Sequence, residues 1–224
     1  MTTVAVIGDS QAQGLVFYGN ISDELAAQGL QFVGGYQQGG ATTRQILARL
    51  DELLGRTTPD VVIVTAGGNE TVGTAQAQAW GELVSRLLAG GVRQVFWISP
   101  PASPEPVRDR GRAAVSEAQR PVVEAAGATW ISGRVTADGI ARRDEVHLTN
   151  SGYREWARRV VRNIAPAVRG GSYLPWIVAL AGVAAAYYLR PYRAPILIVT
   201  AAATAIIYRQ SQPQVSKAPQ LSPR

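Results

Sequence analysis

The chain contains one histidine and no cysteine, so a thiolate nucleophile is excluded and His147 is the sole imidazole base. An ordinary imidazole titrates near neutrality, which suits it to taking a proton from a serine. Asp144, three residues earlier, is within reach of one ring nitrogen and could fix the tautomer and stabilise an imidazolium. The candidate hydroxyl is Ser10, in Gly8-Asp9-Ser10-Gln11, where Asp9 reads as the holder of the turn. Two further clusters, Gly39-Gly40-Ala41-Thr42-Thr43 and Gly67-Gly68-Asn69-Glu70, could supply hydrogen-bond donors to a developing negative charge. Each cluster also has a plainer reading: a common turn at Gly-Asp-Ser, a tight turn or helix entry at a glycine pair, a helix cap at Asn69, a surface or core histidine. Their joint occurrence favours chemistry. A metal centre built on several histidines or cysteines is impossible, and no cofactor or metal is expected.

These residues need a scaffold that gathers them. Short, unbroken runs of apolar and β-branched residues lie at 2–7, 30–33, 61–65, 95–98 and 129–131, the pattern of strands buried on both faces. Between them, apolar residues recur at helical spacing, as in Ile46, Leu47, Leu50, Leu53 and Leu54, or Trp80, Leu83, Val84, Leu87 and Leu88. The segment 151–168 puts Tyr153, Trp156, Ala157, Val160, Val161 and Ile164 on one stripe and arginines opposite. Strand alternating with helix predicts an α/β fold, a five-stranded parallel sheet with helices on both faces. In such a sheet, ligands bind at the carboxyl ends of the strands, and each cluster named above follows a strand. Residues 99–106, with four prolines, read as a surface loop. Gly34-Gly35 and Gly39-Gly40 read as small entrance loops of an open cleft.

The ordered clusters resemble the SGNH hydrolases of the GDSL esterase and lipase superfamily. Gly8-Asp9-Ser10 matches the first block, Gly40 the second, Gly67-Gly68-Asn69 the third, and Asp144 with His147 the last. The resemblance covers about residues 2–168 and implies a three-layer, flavodoxin-like fold. It also implies ester hydrolysis through an acyl-enzyme, with Ser10, Asp144 and His147 catalytic. The oxyanion donors it implies are the amides of Ser10 and Gly40 and the side chain of Asn69. Three positions depart from the family pattern: Gln11 for an aliphatic residue, Ala41, and Glu70 for aspartate. They bear on substrate preference more than on the reaction.

Composition divides the chain. Residues 1–172 carry 17 arginines against 16 acids, whereas 173–224 carry four arginines, one lysine and no acid. The net charge of +6 thus belongs almost entirely to the tail, and the balanced main domain is not expected to bind nucleic acid. Residues 173–189 and 194–208 have no charged side chain. As helices each would span roughly 22–26 Å, a little short of a bilayer core of about 30 Å, with aromatic residues toward their ends. The expected organisation is a hydrolase-like domain at 1–169, a transmembrane helical hairpin at 170–209, and a polar, disordered tail at 210–224. The hairpin could instead be a soluble one buried between copies of the chain, and even in a membrane its small residues allow homo-oligomers. Residues 2–7 begin a strand with no room before them for a leader peptide. With arginines flanking the hairpin, the hydrolase domain is expected on the cytoplasmic side of a membrane, or in the membrane of a lipid-containing virion. The function expected is a membrane-anchored serine esterase acting on short acyl esters, acetyl-like, of carbohydrate, peptidoglycan or lipid. The alternative is a membrane-anchored structural or binding protein with this fold and little activity.

Overall fold

The computed structural model describes residues 1–52 and 58–170. The five apolar runs form one parallel sheet: β1 (Thr2–Gly8), β2 (Leu30–Gln37), β3 (Val61–Thr65), β4 (Gln94–Ile98) and β5 (Thr129–Ile131), in the order β2-β1-β3-β4-β5. The helices are α1 (Ser10–Gln13), continued by a π-helical turn (Gly14–Tyr18), then α2 (Ile21–Ala26), α3 (Thr43–Leu47), α4 (Thr74–Ala89), α5 (Pro106–Ala125), α6 (Gly133–Thr136) and α7 (Asn150–Val168).

Because successive strand residues face opposite ways, each strand feeds two cores. Val4, Val6, Ile63, Phe96 and Ile98 meet Leu15, Ile21, Leu25 and the α7 stripe of Tyr153, Trp156, Val160 and Ile164 on one face. Ala5, Ile7, Val62, Val64 and Trp97 meet Ile46, Trp80, Leu83, Leu87, Val115 and Val123 on the other. That makes the three-layer α/β architecture expected from the alternation of elements. The chain leaves β1 toward one edge at β2 and returns on the other side at β3, so a crevice opens where β1 and β3 end.

Two expectations need correction. Gly34-Gly35 is not an entrance loop but part of β2, which runs on to Gln37. Val4 pairs with Phe32 and Val6 with Gly35, so β2 holds one extra residue as a bulge. Gly34 and Gly35 have φ of +97° and +145°, and a Cβ on Gly35 would lie 1.9 Å from the Val6 carbonyl oxygen. The segment 99–106 is a loop only to Glu105, and Ser99, Pro100, Pro101 and Ser103 in it are buried. Pro106 opens α5, where its missing N–H costs nothing, and the Glu105 carboxylate accepts from the Val107 and Arg108 amides at 2.8 and 2.6 Å. The expected hairpin and tail from residue 171 onward lie outside the described residues. Among the described residues, no helix is long and apolar enough to cross a membrane.

Candidate active site

The first strand delivers Ser10 to the crevice through a turn that only glycine permits. A Cβ on Gly8 would sit 2.0 Å from the Thr65 carbonyl oxygen at the end of β3, and Asp9 donates its amide to that same oxygen at 3.1 Å. Asp9 then caps α1, its Oδ1 accepting the Gln11 amide at 2.9 Å. It is the turn holder, as expected. Burial pushes its carboxyl up to about 6, against the opposing pull of the Gln11 amide, the Arg112 charge and the Gly68 amide. Ser10 is half-buried and occupies the first helical position, where the N–H has no partner within the helix.

The two donor clusters are tied to this turn. The Gln38 amide donates to the Gly8 carbonyl at 3.0 Å, and the Ala41 amide closes a turn onto the Gln38 carbonyl at 3.1 Å. Inside that turn Gly40 has φ of +75°, a conformation that favours glycine. Its amide makes no hydrogen bond among the described residues. The third cluster approaches from β3: the Gly68 amide faces the Asp9 carboxyl and favours its charged form, and Asn69 Nδ2 donates to the Ala41 carbonyl at 3.1 Å. Asn69 does not cap the following helix, since Gly73 takes that position in α4. Its second amide hydrogen is uncommitted and its side chain is exposed.

Glu70 locks the two clusters together. Its carboxylate accepts the Thr43 amide through one oxygen and the Trp80 indole N–H through the other. Aspartate would be one methylene shorter for the same span. Beside Asn69 and Glu70 is a cavity of about 200 Å³ that Thr43, Arg44 and Gln76 also line.

Asp144 and His147 lie in the loop between α6 and α7. Asp144 Oδ1 accepts the backbone amides of Val146 and His147 at 2.7 and 2.6 Å, and Oδ2 lies 3.0 Å from His147 Nδ1. Desolvation works against the charge. The His147 amide and ring and the Val146 amide outweigh it, holding the Asp144 carboxyl well below the usual carboxylate range. An ionised Asp144 accepts from Nδ1–H, which leaves Nε2 as the acceptor nitrogen.

The structure brings Asp144 into contact with His147, and Asn69 into contact with the Gly40 turn. Ser10 and His147 are not joined directly, for the Ser10 hydroxyl makes no hydrogen bond among the described residues. The link is made by their neighbours. Gln11, buried beside Ser10, donates from Nε2 to the carbonyl of Val146, next to His147, at 2.8 Å. Its Oε1 accepts from the buried Tyr153 hydroxyl at 3.1 Å. Burial pushes the Tyr153 phenol up to about 12, so it remains a donor at working pH. Sequence reading noted Gln11 only as a departure from a pattern. Its partners are 135 and 142 residues away, and no local periodicity signals them. Among the described residues, no group of three or more aspartates, glutamates or histidines could hold a metal ion.

The sequence pattern of the GDSL-like lipase/acylhydrolase family matches residues 6–155. No curated protein sequence matches the chain. Among solved structures, the acetyl xylan esterase AlAXEase superposes with a TM-score of 0.62 at 20% identity, covering 72% of this chain and 99% of its own. The lipase/acylhydrolase from Enterococcus faecalis gives 0.59 at 20%, covering 75% and 97%. TesA gives 0.63 at 20%, covering 74% and 99%. At these identities the likeness is one of fold.

Proposed function

Since the chain belongs to the GDSL-like lipase/acylhydrolase family and is thereby an ester hydrolase, we propose that Ser10 is its nucleophile, His147 its base and Asp144 the carboxylate that orients the base. Ser10 Oγ attacks the ester carbonyl carbon as its proton passes to His147 Nε2. The carbonyl oxygen becomes an anion facing the amides of Ser10 and Gly40 and the uncommitted Asn69 hydrogen. Collapse breaks the bond to the alcohol, which leaves with the proton from His147 and gives an acyl-Ser10 ester. Water, deprotonated by the same nitrogen, then attacks this ester to release the acid and regenerate Ser10.

The observation that carries the reading is the Asp144–His147 pair, 3.0 Å apart, on a loop hydrogen-bonded to Gln11, the residue beside Ser10. Apo serine–histidine contacts are often long and tighten only with substrate bound, so the missing Ser10 hydrogen bond is compatible with it. Turnover of a short-chain acyl ester tests it. Ser10→Ala and His147→Ala should each abolish hydrolysis, and a fluorophosphonate should label Ser10. Undiminished turnover in either variant would reject the assignment.

A short acyl group such as acetyl, on carbohydrate, peptidoglycan or lipid, is the substrate class we favour. The fold likeness to an acetyl xylan esterase supports it. Comparing acetyl with decanoyl esters separates this from long-chain activity. The uncharged runs at 173–189 and 194–208 support membrane anchoring, with the hydrolase domain on the cytoplasmic face. Protease accessibility of residues 1–168 in sealed vesicles tests that placement.

A further inference from the structure

We infer that Gln11, with Tyr153 behind it, is the positioning device that sets His147 against Ser10. The inference rests on the catalytic roles proposed above and goes beyond them by naming what holds the two groups in register.

The loop bearing His147 is exposed at Asp144 and Glu145, and its consecutive carbonyls have identifiable partners. The Glu145 carbonyl accepts from Ser103 Oγ at 2.8 Å, that of Val146 from Gln11 Nε2 at 2.8 Å, and that of His147 from the Arg143 amide at 2.9 Å. Among the described residues, Gln11 alone of these comes from the element that carries Ser10. It is adjacent to the nucleophile on one side and bonded to the neighbour of the base on the other. Movement of α1 is therefore transmitted to the His147 loop through one buried amide.

The amide itself is held. A primary amide without a second anchor can rotate, and with its ends exchanged Gln11 would present an oxygen to the Val146 carbonyl. The Val146 carbonyl can only accept and so selects the orientation in which Nε2 faces it, while the Tyr153 hydroxyl, donating to Oε1, anchors the other end of the amide. Tyr153 is placed by the buried face of α7 and closes over Gly14, where a Cβ would fall 1.9 Å from its ring. Glycine at position 14 is thus the condition for Tyr153 to reach Gln11. An aliphatic residue at position 11 would fill the space but could make neither bond.

The test uses the full chain with an acetyl ester, reading kcat and KM separately in Gln11→Leu, Tyr153→Phe and the double variant, and the rate of fluorophosphonate labelling of Ser10. Gln11→Leu should lower kcat tenfold or more with KM within twofold, and slow labelling by a similar factor, because both need the base in place. Tyr153→Phe should have a smaller effect, about threefold, that disappears in the Gln11→Leu background, since both act through the same amide. A kcat within twofold of wild type in Gln11→Leu, or a loss borne by KM alone, would overturn the inference. So would additive effects of the two substitutions. If Gln11→Leu does not fold, Tyr153→Phe decides: a lowered kcat at constant KM supports the device, and an unchanged kcat removes it. Failure of wild-type turnover and of Ser10 labelling would instead remove the catalytic assignment on which the device rests.

Discussion

In the proposed mechanism Asn69 keeps half of its donor capacity in reserve in the resting protein. One amide hydrogen is spent on the Ala41 carbonyl, which sets the side chain's direction, and the proposed mechanism assigns the other to an oxygen whose charge develops only during reaction. Removing one such donor typically costs about 3–4 kcal/mol of transition-state stabilisation. Asn69→Ala should therefore lower kcat about a hundredfold or more while KM changes little, and steady-state kinetics on a short acyl ester would show it. A loss expressed mainly in KM would mean that Asn69 binds the ground state. Glu70, its neighbour, does a different job: both oxygens are occupied by the Thr43 amide and Trp80, so it braces the loop rather than acting on substrate. Glu70→Gln would turn an N–H donor toward one of these two donors, and it should lower thermal stability as well as activity. Thermal unfolding measured beside kinetics reads both.

At the scale of elements, the strands bring the site together and the glycines let them come close enough. Gly8 and Gly35 each stand where a Cβ would meet a neighbouring strand's carbonyl oxygen at about 2 Å, 2.0 and 1.9 Å respectively. A steric conflict with backbone cannot be relieved by a rotamer change, so Gly35→Ala should destabilise by at least the roughly 1–3 kcal/mol typical of overpacking. Gly29→Ala, where no atom among the described residues beyond its chain neighbours lies within 4 Å of a Cβ, carries the positive-φ cost alone and should lose less; urea midpoints of the pair would separate the two contributions. The glycines also mark where sequence was readable and where it was not. The five apolar runs declared the strands, since fully buried parallel strands have no alternation to blur, and the α7 stripe declared its helix. The clusters after those strands gave Ser10, Gly40, Asn69, Asp144 and His147 as candidates. Gly34-Gly35 was legible as backbone freedom but not as a bulge, for a loop and a bulge ask the same of glycine. The burial of Ser99, Pro100, Pro101 and Ser103 had no local signal either, because it depends on distant partners such as the Gly133 amide at Ser99 Oγ and Arg112 at the Pro101 carbonyl.

For the whole domain, two aspartates of opposite behaviour should shape stability against pH. Asp109 is held at about 2, first by its two bonds to Arg134 at 2.6 and 2.9 Å, against the cost of burial and with help from the Ser103 amide. A carboxyl depressed in the folded state contributes stability that is present above its unfolded value near 4 and is lost as pH falls toward 2. Asp9 has the opposite sign. Burial raises it to about 6, so the folded chain keeps a proton that the unfolded chain has released, and stability declines as pH rises from about 4 to 6. A shift of that size corresponds to about 2–3 kcal/mol, comparable with a sizeable fraction of a domain's net stability. Asp60, Glu105, Asp144 and Glu155 are all depressed as well and steepen the acid limb. Unfolding free energy from urea titrations should therefore rise between pH 2 and 4 and then fall between pH 4 and 6. Asp109→Asn should make the first limb shallower, with the other depressed carboxyls still contributing to it, and leave the second. Asp9→Asn, still a competent helix cap, should flatten the second and leave the first. A second limb that persists in Asp9→Asn would mean that the turn beneath Ser10 holds its carboxylate ionised in the folded protein, with Arg112 and the Gly68 amide outweighing burial.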